Sequence, residues 1–526
     1  MSDFDGIIVG SGINSLVCAA LLAKGGWKVC LLELSNYFGG AIRTEELTQP
    51  GFLHERYSAW HPLFVGGGAY QALKPDLDAK GVTYLTTPIS TATLYPDGSS
   101  AFFGMDGAAN VAELERLQPG DGEAYQQFLA AFTPNLDLIF GALSGPLFSE
   151  QSAQLMKTAE QRLGPDGVLR LTGEMLTSCR DWLTQTFRSP KAHGLFAPWI
   201  SHTGLGPEAA LSGMMMRVFA FTLQFVGVPV PRGGGKVLVD ALLGIIRDRG
   251  GECHTDTDVA QVLVSGGRAR GVKLANGKKL TAKRAVIANV TPNQLYHRLL
   301  SPEQVPAQLD QAVKRFRFGP ACMQINLALK EAPRWTGDVR LGQSPAVMIT
   351  SGLDGVSKSW NEGTRGLLPA EPHLFVSSPS VPDPSRAPAG GAVVMIQLLG
   401  LPNRPVGDAA GQIDVGDGTW TESLREAYAD RVMAQLGRYM PNLESALIER
   451  RVTSPRDLET VNINLVDGDP YGGSLEISQH YLWRPMPGYP RHATHVPGLY
   501  QIGASTFPGH GLGGGSGLLV AQELLR

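Results

Sequence analysis

The stretch Asp5–Glu33, DGIIVGSGINSLVCAALLAKGGWKVCLLE, constrains the fold more than any other part of the chain. Ile7-Ile8-Val9 is a short apolar run of the kind that makes a buried parallel strand. Gly10-Ser11-Gly12 then turns the chain. Leu16–Lys24 reads as a helix stopped by Gly25-Gly26, and Lys28–Leu32 reads as the next strand, with Glu33 at its end. Gly10 permits the sharp turn. Gly12 has no Cβ, so backbone N–H groups can approach a pyrophosphate at a helix N-terminus that carries partial positive charge. Glu33, 23 positions after Gly10, is placed to accept hydrogen bonds from ribose hydroxyls. The pattern predicts a βαβ dinucleotide site. Ser15 stands where the third glycine of GxGxxG belongs, a small residue at a position that serves helix–strand packing. The plain alternative is a glycine turn in an ordinary α/β unit, and the stretch alone does not separate NAD from FAD.

Two further glycine turns bear on that choice. In NYFGGAIRTEE, Gly39-Gly40 precedes Arg43. This turn suits a second backbone approach beside an FAD pyrophosphate, with the Arg near its charge; a surface turn with a solvated Arg is the alternative. Near the other end lies GLYQIGASTFPGHGLGGGSGLLVAQELL. Leu499–Ile502 reads as a strand, Gly503-Ala504-Ser505 as a turn, Gly511–Gly517 as a glycine loop and Leu518–Leu525 as a helix. Three such approaches to one long cofactor favour FAD over NAD. Between the first two motifs and residue 70, an aromatic and histidine-rich run (Phe52, His54, Tyr57, Trp60, His61, Phe64) is expected beside a flavin ring.

A chain of 526 residues holds two or three units. Glycine supplies 64 of the 526, against a usual ~7%, which implies many tight turns. Net charge is −3, so nucleic acid is not indicated as a partner. Cys18, Cys30, Cys179, Cys253 and Cys322 form no CxxC and read as free thiols in a reducing compartment. The first strand begins within a few residues, leaving no room for a signal peptide, and no apolar run reaches membrane-spanning length. Leu211–Val230 reads as a buried or partly exposed helix, its Met214-Met215-Met216 either core or pocket wall. Residues 70–228 read as mostly helical (Ala108–Leu117, Gly122–Phe132, Ser149–Leu163, Gly167–Phe187), with strand-like pieces at Tyr84–Leu85 and Thr93–Tyr95. Lys236–Asp248 reads as a helix and Ala285–Ala288 as a strand that brings Asn289 to the cofactor. Met323–Leu329 and Ala392–Leu399 read as strands, Trp420–Met440 as a helix, and Gly337–Pro372 and Leu401–Gly418 as loops.

In order, GSGINSL, Glu33, GGAIRTEE, PGF, PRGGG, GRARGVKLANGKKLTAKRAVIANVTP and GLYQIGASTFPGHGLGGGSG resemble the phytoene-desaturase-like FAD-dependent oxidoreductases, in the wider clan of monoamine oxidases and protoporphyrinogen oxidase. VSSPSVPDPSRAPAGGAVVMIQLL and the GDPYGGSLEI…RPMPGY run resemble the less characterised bacterial and mitochondrial branch more than carotenoid desaturases proper. The resemblance implies an α/β protein with a discontinuous Rossmann-like FAD-binding domain (1–70, 230–300 and 455–526). An inserted α+β substrate region would comprise 71–229 and 301–454. It implies non-covalent FAD with Gly10, Ser11, Gly12, Asn14 and Ser15 at the pyrophosphate loop and Glu33 at the adenosine ribose. Gly40, Ala41 and Arg43 match the second turn, Val259 the adenine-contacting strand, and Gly503, Ala504, Leu512 and Gly513 the loop near the flavin. The implied chemistry is hydride transfer from an apolar organic substrate to flavin N5, with oxygen, a quinone or another electron acceptor. Some relatives isomerise double bonds instead. His510, in PGHG, departs from the usual small residue. It is either a catalytic acid or base or a His packed at the cofactor's edge. Two rivals stay open: an amine oxidase, with Tyr481 and Trp483 as cation–π faces, and a scaffold that keeps FAD without catalysis. The expected location is cytoplasmic; peripheral membrane contact and a homodimer are left open.

Overall fold

The computed structural model describes residues 3–526. Two seven-stranded sheets organise them. The first is built around β1 (Phe4–Val9), α1 (Ile13–Lys24) and β2 (Val29–Leu32). β1 pairs in parallel with β2 and with Lys279–Asn289; Glu252–His254 and Leu499–Ile502 extend the parallel sheet on either side. The early part of Lys279–Asn289 also pairs with an antiparallel hairpin, Val259–Ser265 and Arg268–Leu274. A parallel sheet needs cover on both faces, and the strands are apolar on both. Ile8 and Leu31 pack beneath α1, Gly235–Arg247 and Gly515–Leu524, while Ile7, Cys30 and Leu32 face Val262, Val286 and Leu295. α1 ends at the predicted stop: Gly25 N–H donates to Leu21 O, and Gly26 takes a φ of +83°.

The second sheet runs in the order Leu447–Thr453, Ala321–Leu329, Ala392–Leu401, Leu374–Ser377, Ala346–Ile349, Ile89–Leu94, Ser100–Gly104. All its pairs are antiparallel except Ala346–Ile349 with Ile89–Leu94. Side chains alternate between its faces. Ile325, Val394 and Ile396 pack on the helix Glu422–Gly437, whereas Cys322, Phe375, Met395 and Leu399 point inward, toward Trp199, Tyr57 and Trp60.

The region expected to be mostly helical thus gives two strands to the edge of this sheet. Gly337–Pro372, expected as loop, contains a strand and the helix Leu353–Thr364. The glycine content there misleads: a Cβ on Gly363 would lie 1.8 Å from Gly400 O, so this glycine lets a helix press on the sheet. The helix Gly68–Ala79 packs Leu73 and Leu77 into the α1 core, and Ala307–Lys314 packs Leu309 and Val313 against the first sheet's other face. By packing, both belong with the first sheet, so boundaries at 71 and 301 cut across it. The Met run is core, with Met214 and Met216 fully buried.

One ionic knot ties the two sheets' segments together. Arg386, fully buried, donates from Nη1 to Glu55 Oε1 (2.7 Å), from Nε to Asp383 Oδ2 (3.0 Å) and from Nη2 to Pro231 O (2.9 Å). Gly235 N–H donates to Glu55 Oε1 (2.9 Å) and Gly233 N–H to Asp383 Oδ2 (2.7 Å), so the carboxylates are satisfied from both sides. Removing one member of a buried charge set leaves the others uncompensated, at about 3–5 kcal/mol. Arg386→Met is expected to lower the unfolding free energy extracted from urea titration by an amount in that range; an unchanged midpoint would show that the knot contributes nothing to holding the fold.

Candidate functional site

Register places four chain segments at one edge. Val9 is level with Leu32 and with Ala288, and Asn289 with Ile502. The next residues, Gly10, Glu33, Val290 and Gly503, therefore leave the sheet together at the carboxyl ends of the strands, where open α/β sheets bind ligands. A cavity of about 360 Å³ opens there. Of the sequence-predicted residues, Gly10, Ser11, Gly12, Asn14, Glu33, Gly40, Ala41, Val259, Gly503, Ala504, Leu512 and His510 line it; Ser15, Arg43 and Gly513 do not.

α1 opens into this cavity with Gly12 as its cap. No side chain among the described residues caps it, and its first turn carries no acid. Its leading N–H groups are left to an anion. The second glycine turn stacks directly on the first. Gly40 has φ +60°, and a Cβ there would lie 2.9 Å from Gly12 Cα. The Gly39 N–H donates to Ser11 Oγ at 3.1 Å.

Glu33 is fixed by backbone and side chain alike. Its N–H donates to His254 O and its carbonyl accepts from Thr257 N–H, both at 2.8 Å. Ser11 donates to Oε2 from N (2.9 Å) and Oγ (2.6 Å), and Ser35 to Oε1 from N (2.9 Å) and Oγ (2.8 Å). A carboxylate has about four acceptor positions; three of these donors hold theirs, and the single Ser35 hydroxyl hydrogen is shared between Glu33 Oε1 and Tyr37 O at 2.9 Å. A ribose hydroxyl reaches Glu33 only when a serine hydroxyl rotates away, which sharpens the role expected from the sequence.

Ser15, the apparent defect in the motif, has a partner. Its Oγ accepts from Asn289 Nδ2 at 3.0 Å. Gly503, at φ +111°, would put a Cβ 2.2 Å from Asn289 Oδ1, so the third loop closes on the same amide. Arg43 departs from expectation: it pairs with Glu45 and lies 3.7 Å over the Tyr37 ring, and it is Tyr37 that faces the cavity. Gly513 packs beside Leu63 O instead of lining the cavity.

His510, expected either as an acid or base or as a ring packed at the cofactor's edge, is held by a backbone carbonyl. Its Nε2 lies 2.8 Å from His202 O; a carbonyl only accepts, so Nε2 carries the proton. Burial, with the Arg484 charge nearby, holds its pKa down to about 4. It is a neutral ring, set edge-on to Tyr471 at 5.1 Å.

Sequence reasoning did not single out Arg484 or Asp469, although GDPYGG and RPMPGY contain them. Arg484 is fully buried and donates to the carbonyls of Ser474 (3.2 Å), Tyr471 (2.8 Å) and Ala504 (3.0 Å), locking two cavity-lining loops together. Asp469 accepts N–H bonds from Gly319, Tyr471 and Gly473. Tyr481 and Trp483 do not line the cavity, and Trp483 is 42% exposed, so they form no cage there. All five cysteines are free, and burial pushes the thiols of Cys18, Cys30 and Cys322 up to about 12, leaving no thiolate for redox work.

The family described as flavin containing amine oxidoreductase matches residues 16–525. The chain belongs to that family. Among its relatives is pyridine nucleotide-disulfide oxidoreductase domain-containing protein 2 of Mus musculus, 27% identical over 100% of this chain and 94% of the relative. The zeta-carotene-forming phytoene desaturase of Myxococcus xanthus is 26% identical over 96% and 90%. The crystal structure of an oxidoreductase from Methanosarcina mazei shares the fold, with TM-score 0.62 and 17% identity over 98% of this chain and 99% of that one. The protein is an FAD-dependent oxidoreductase. The uncapped helix, the side-chain-free stack of Gly12 on Gly40 and the oriented Glu33 fit that cofactor. No helix among the described residues is long and apolar enough to cross a membrane.

Gly12→Val places a branched side chain against Asn289 and into the pyrophosphate space. It is expected to abolish flavin absorbance in purified protein and on titration with FAD; normal binding would displace the assigned site. A second expectation concerns acid. Burial lowers His54, His373 and His510 to about 4, and His61 and His202 to about 3. Unfolded, each titrates near 6.5, so the unfolded chain binds more protons below that pH. Their stabilisation is complete above about pH 6.5 and is lost as pH falls toward 4 and 3, by up to about 1.4 kcal/mol per pH unit for each. Thermal midpoints flat across that window would contradict neutral burial.

Proposed function

We propose that the chain dehydrogenates a largely apolar organic substrate held against the inner face of the second sheet, beside the His510 end of the cavity. The observation that carries this is the character of that face. Cys322, Met348, Phe375, Met395 and Leu399 are joined there by Trp60 and Trp199, and the polar strand positions on that face, Gln324, Asn326, Ser377 and Gln397, are uncharged. A dry, uncharged wall suits an apolar skeleton and offers no counter-charge to an ammonium group. The phytoene-desaturase relative supports the same substrate class. On this reading the first sheet with its helices holds FAD, and the second sheet with the helices of 107–225 holds substrate.

The leading N–H groups of α1 would hold the pyrophosphate, Glu33 the adenosine ribose, Val259 the adenine edge, and Gly503, Ala504 and Leu512 the flavin side. When bound, FAD supplies a two-electron acceptor for hydride from a substrate carbon. The protein's part is orientation and exclusion of water. Arg484 holds Tyr471 O and Ala504 O in place. His510 presents a neutral ring whose Nδ1 can only accept a hydrogen bond. Oxygen, a quinone or another acceptor is the expected electron sink.

Anaerobic FAD-loaded protein mixed with a polyene, a monoterpene, a cyclic ketone and primary and secondary amines tests this. Flavin bleaching by the first three classes is expected. Bleaching by amines alone, with peroxide released on admitting air, would make it an amine oxidase; no bleaching by any would favour the scaffold reading. The rate of flavin reduction is expected to be flat between about pH 6 and 8. A limb in that range that disappears in His510→Asn would return His510 to a base role.

A further inference from the structure

A second cavity, of about 250 Å³, lies apart from the cofactor site. Residues 146–149, residues 490–493 and the closing helix Gly515–Leu524 surround it, with Phe507 in its wall. No residue lines both cavities, yet Phe507 belongs to the loop whose Ser505 and Gly509 line the cofactor's, so one loop borders both spaces. The volume falls just below the ~300–1,000 Å³ of pockets that enclose drug-sized ligands, which suits a small molecule.

Phe148 fits neither its backbone nor its surroundings. At φ +54° it occupies the left-handed region, which bulky residues avoid and glycine enters freely. Core packing does not offset that strain, because the residue is 51% exposed. Its neighbour holds the turn: Ser149 Oγ donates to Pro146 O (2.7 Å) and accepts from Ser152 N–H (3.1 Å), in the capping box that opens the helix Glu150–Leu176. The Arg491 guanidinium lies over the Phe148 ring, 5.8 Å from its centroid. A cation–π contact at an exposed site contributes less than such a backbone costs. Arg491 is itself exposed, and among the described residues no carboxylate comes within 4.0 Å of its nitrogens. Glu523, the acidic side chain on the lining, is turned to the Tyr500 hydroxyl. A strained, exposed aromatic ring and an unpaired guanidinium therefore meet at one cavity.

We propose that this cavity is a second ligand site, for a small carboxylate with an apolar body. The planar fork of Arg491 matches a carboxylate, and Leu147, Phe148, Phe507 and Leu519 offer the body an apolar surface. A bare inorganic anion gains nothing from that surface, and an ammonium group meets the guanidiniums of Arg491 and Arg526. The site is joined to the flavin loop: His492, next to Arg491, has Nε2 2.8 Å from Phe507 O. A ligand held by Arg491 thus bears on the loop that borders the cofactor. The assignment does not depend on which substrate the second sheet holds.

The test is calorimetric titration of the FAD-loaded protein with octanoate, octan-1-ol, octylamine and inorganic phosphate. Octanoate is expected to bind saturably and at least about tenfold more tightly than the other three, the worth of one charge-assisted hydrogen bond. Arg491→Gln keeps an exposed polar side chain without the charge, and Phe148→Gly removes the ring while suiting the left-handed backbone. Both variants are expected to keep the wild-type flavin absorbance. Arg491→Gln is expected to weaken octanoate at least about tenfold and to leave octan-1-ol unchanged; Phe148→Gly is expected to weaken both several-fold. The proposal is overturned if octanoate does not saturate, if octan-1-ol or octylamine matches it, or if phosphate alone binds tightly. Wild-type octanoate affinity in both variants would place the ligand elsewhere and overturn it equally. Absence of bound flavin would defeat the cofactor reading and leave these binding comparisons decisive for the second site.

Discussion

The carboxyl edge of the first sheet is gathered around one amide. Asn289 ends the strand beside β1, and three glycines crowd it: a Cβ on Gly10 would stand 3.0 Å from its carbonyl oxygen, one on Gly12 3.0 Å from Nδ2, and one on Gly503 2.2 Å from Oδ1. Two loops drawn from opposite ends of the chain can share this space only because their glycines present no side chain to it. Ser15 completes the arrangement by accepting from Nδ2, which fixes the amide's orientation. Whatever sits above this edge meets backbone, so a ligand with a long phosphate linker is favoured over one read by side chains.

Two buried arginines then set the rest of the frame, in different ways. Arg386 is balanced by Glu55 and Asp383 and unites segments near residues 55, 231–235 and 383–386. Arg484 has no carboxylate in contact among the described residues and is held by carbonyl oxygens. Burial lowers its pKa to about 10, so it stays a cation at neutral pH. A guanidinium's planar fork suits such multiple acceptance. The first arginine locks one sheet's segments to the other's; the second locks the loops that border the cavity.

The cofactor side was legible because glycine spacing reports backbone geometry directly. Gly10, Gly12, Gly40 and Gly503 are constrained by what would collide with a Cβ, and that constraint is written locally. The roles of Arg43 and His510 were less legible because each depends on neighbours the spacing does not reveal. Tyr37 and Glu45 draw Arg43 aside, and burial keeps the His510 ring uncharged near neutrality. The second sheet hid one of its inner strands in a piece as short as AVMI, within a stretch whose glycines looked like loop. The polar positions of its inner face were invisible because Gln324 and Gln397 lie far apart in sequence and each sits inside an apolar strand. Only pairing brings them side by side.

The closing helix Gly515–Leu524 lies along α1, with Gly517 N–H directed at Asn14 Oδ1, a contact between residues 503 positions apart. During synthesis, α1 and its strands leave the ribosome long before their cover exists. The nascent first sheet must wait with one flank open until residue 524 has been added, because a long-range closure cannot form earlier. The cover of α1 is thus supplied from the far end of the sequence, and the first sheet is closed on that flank only when the two have met.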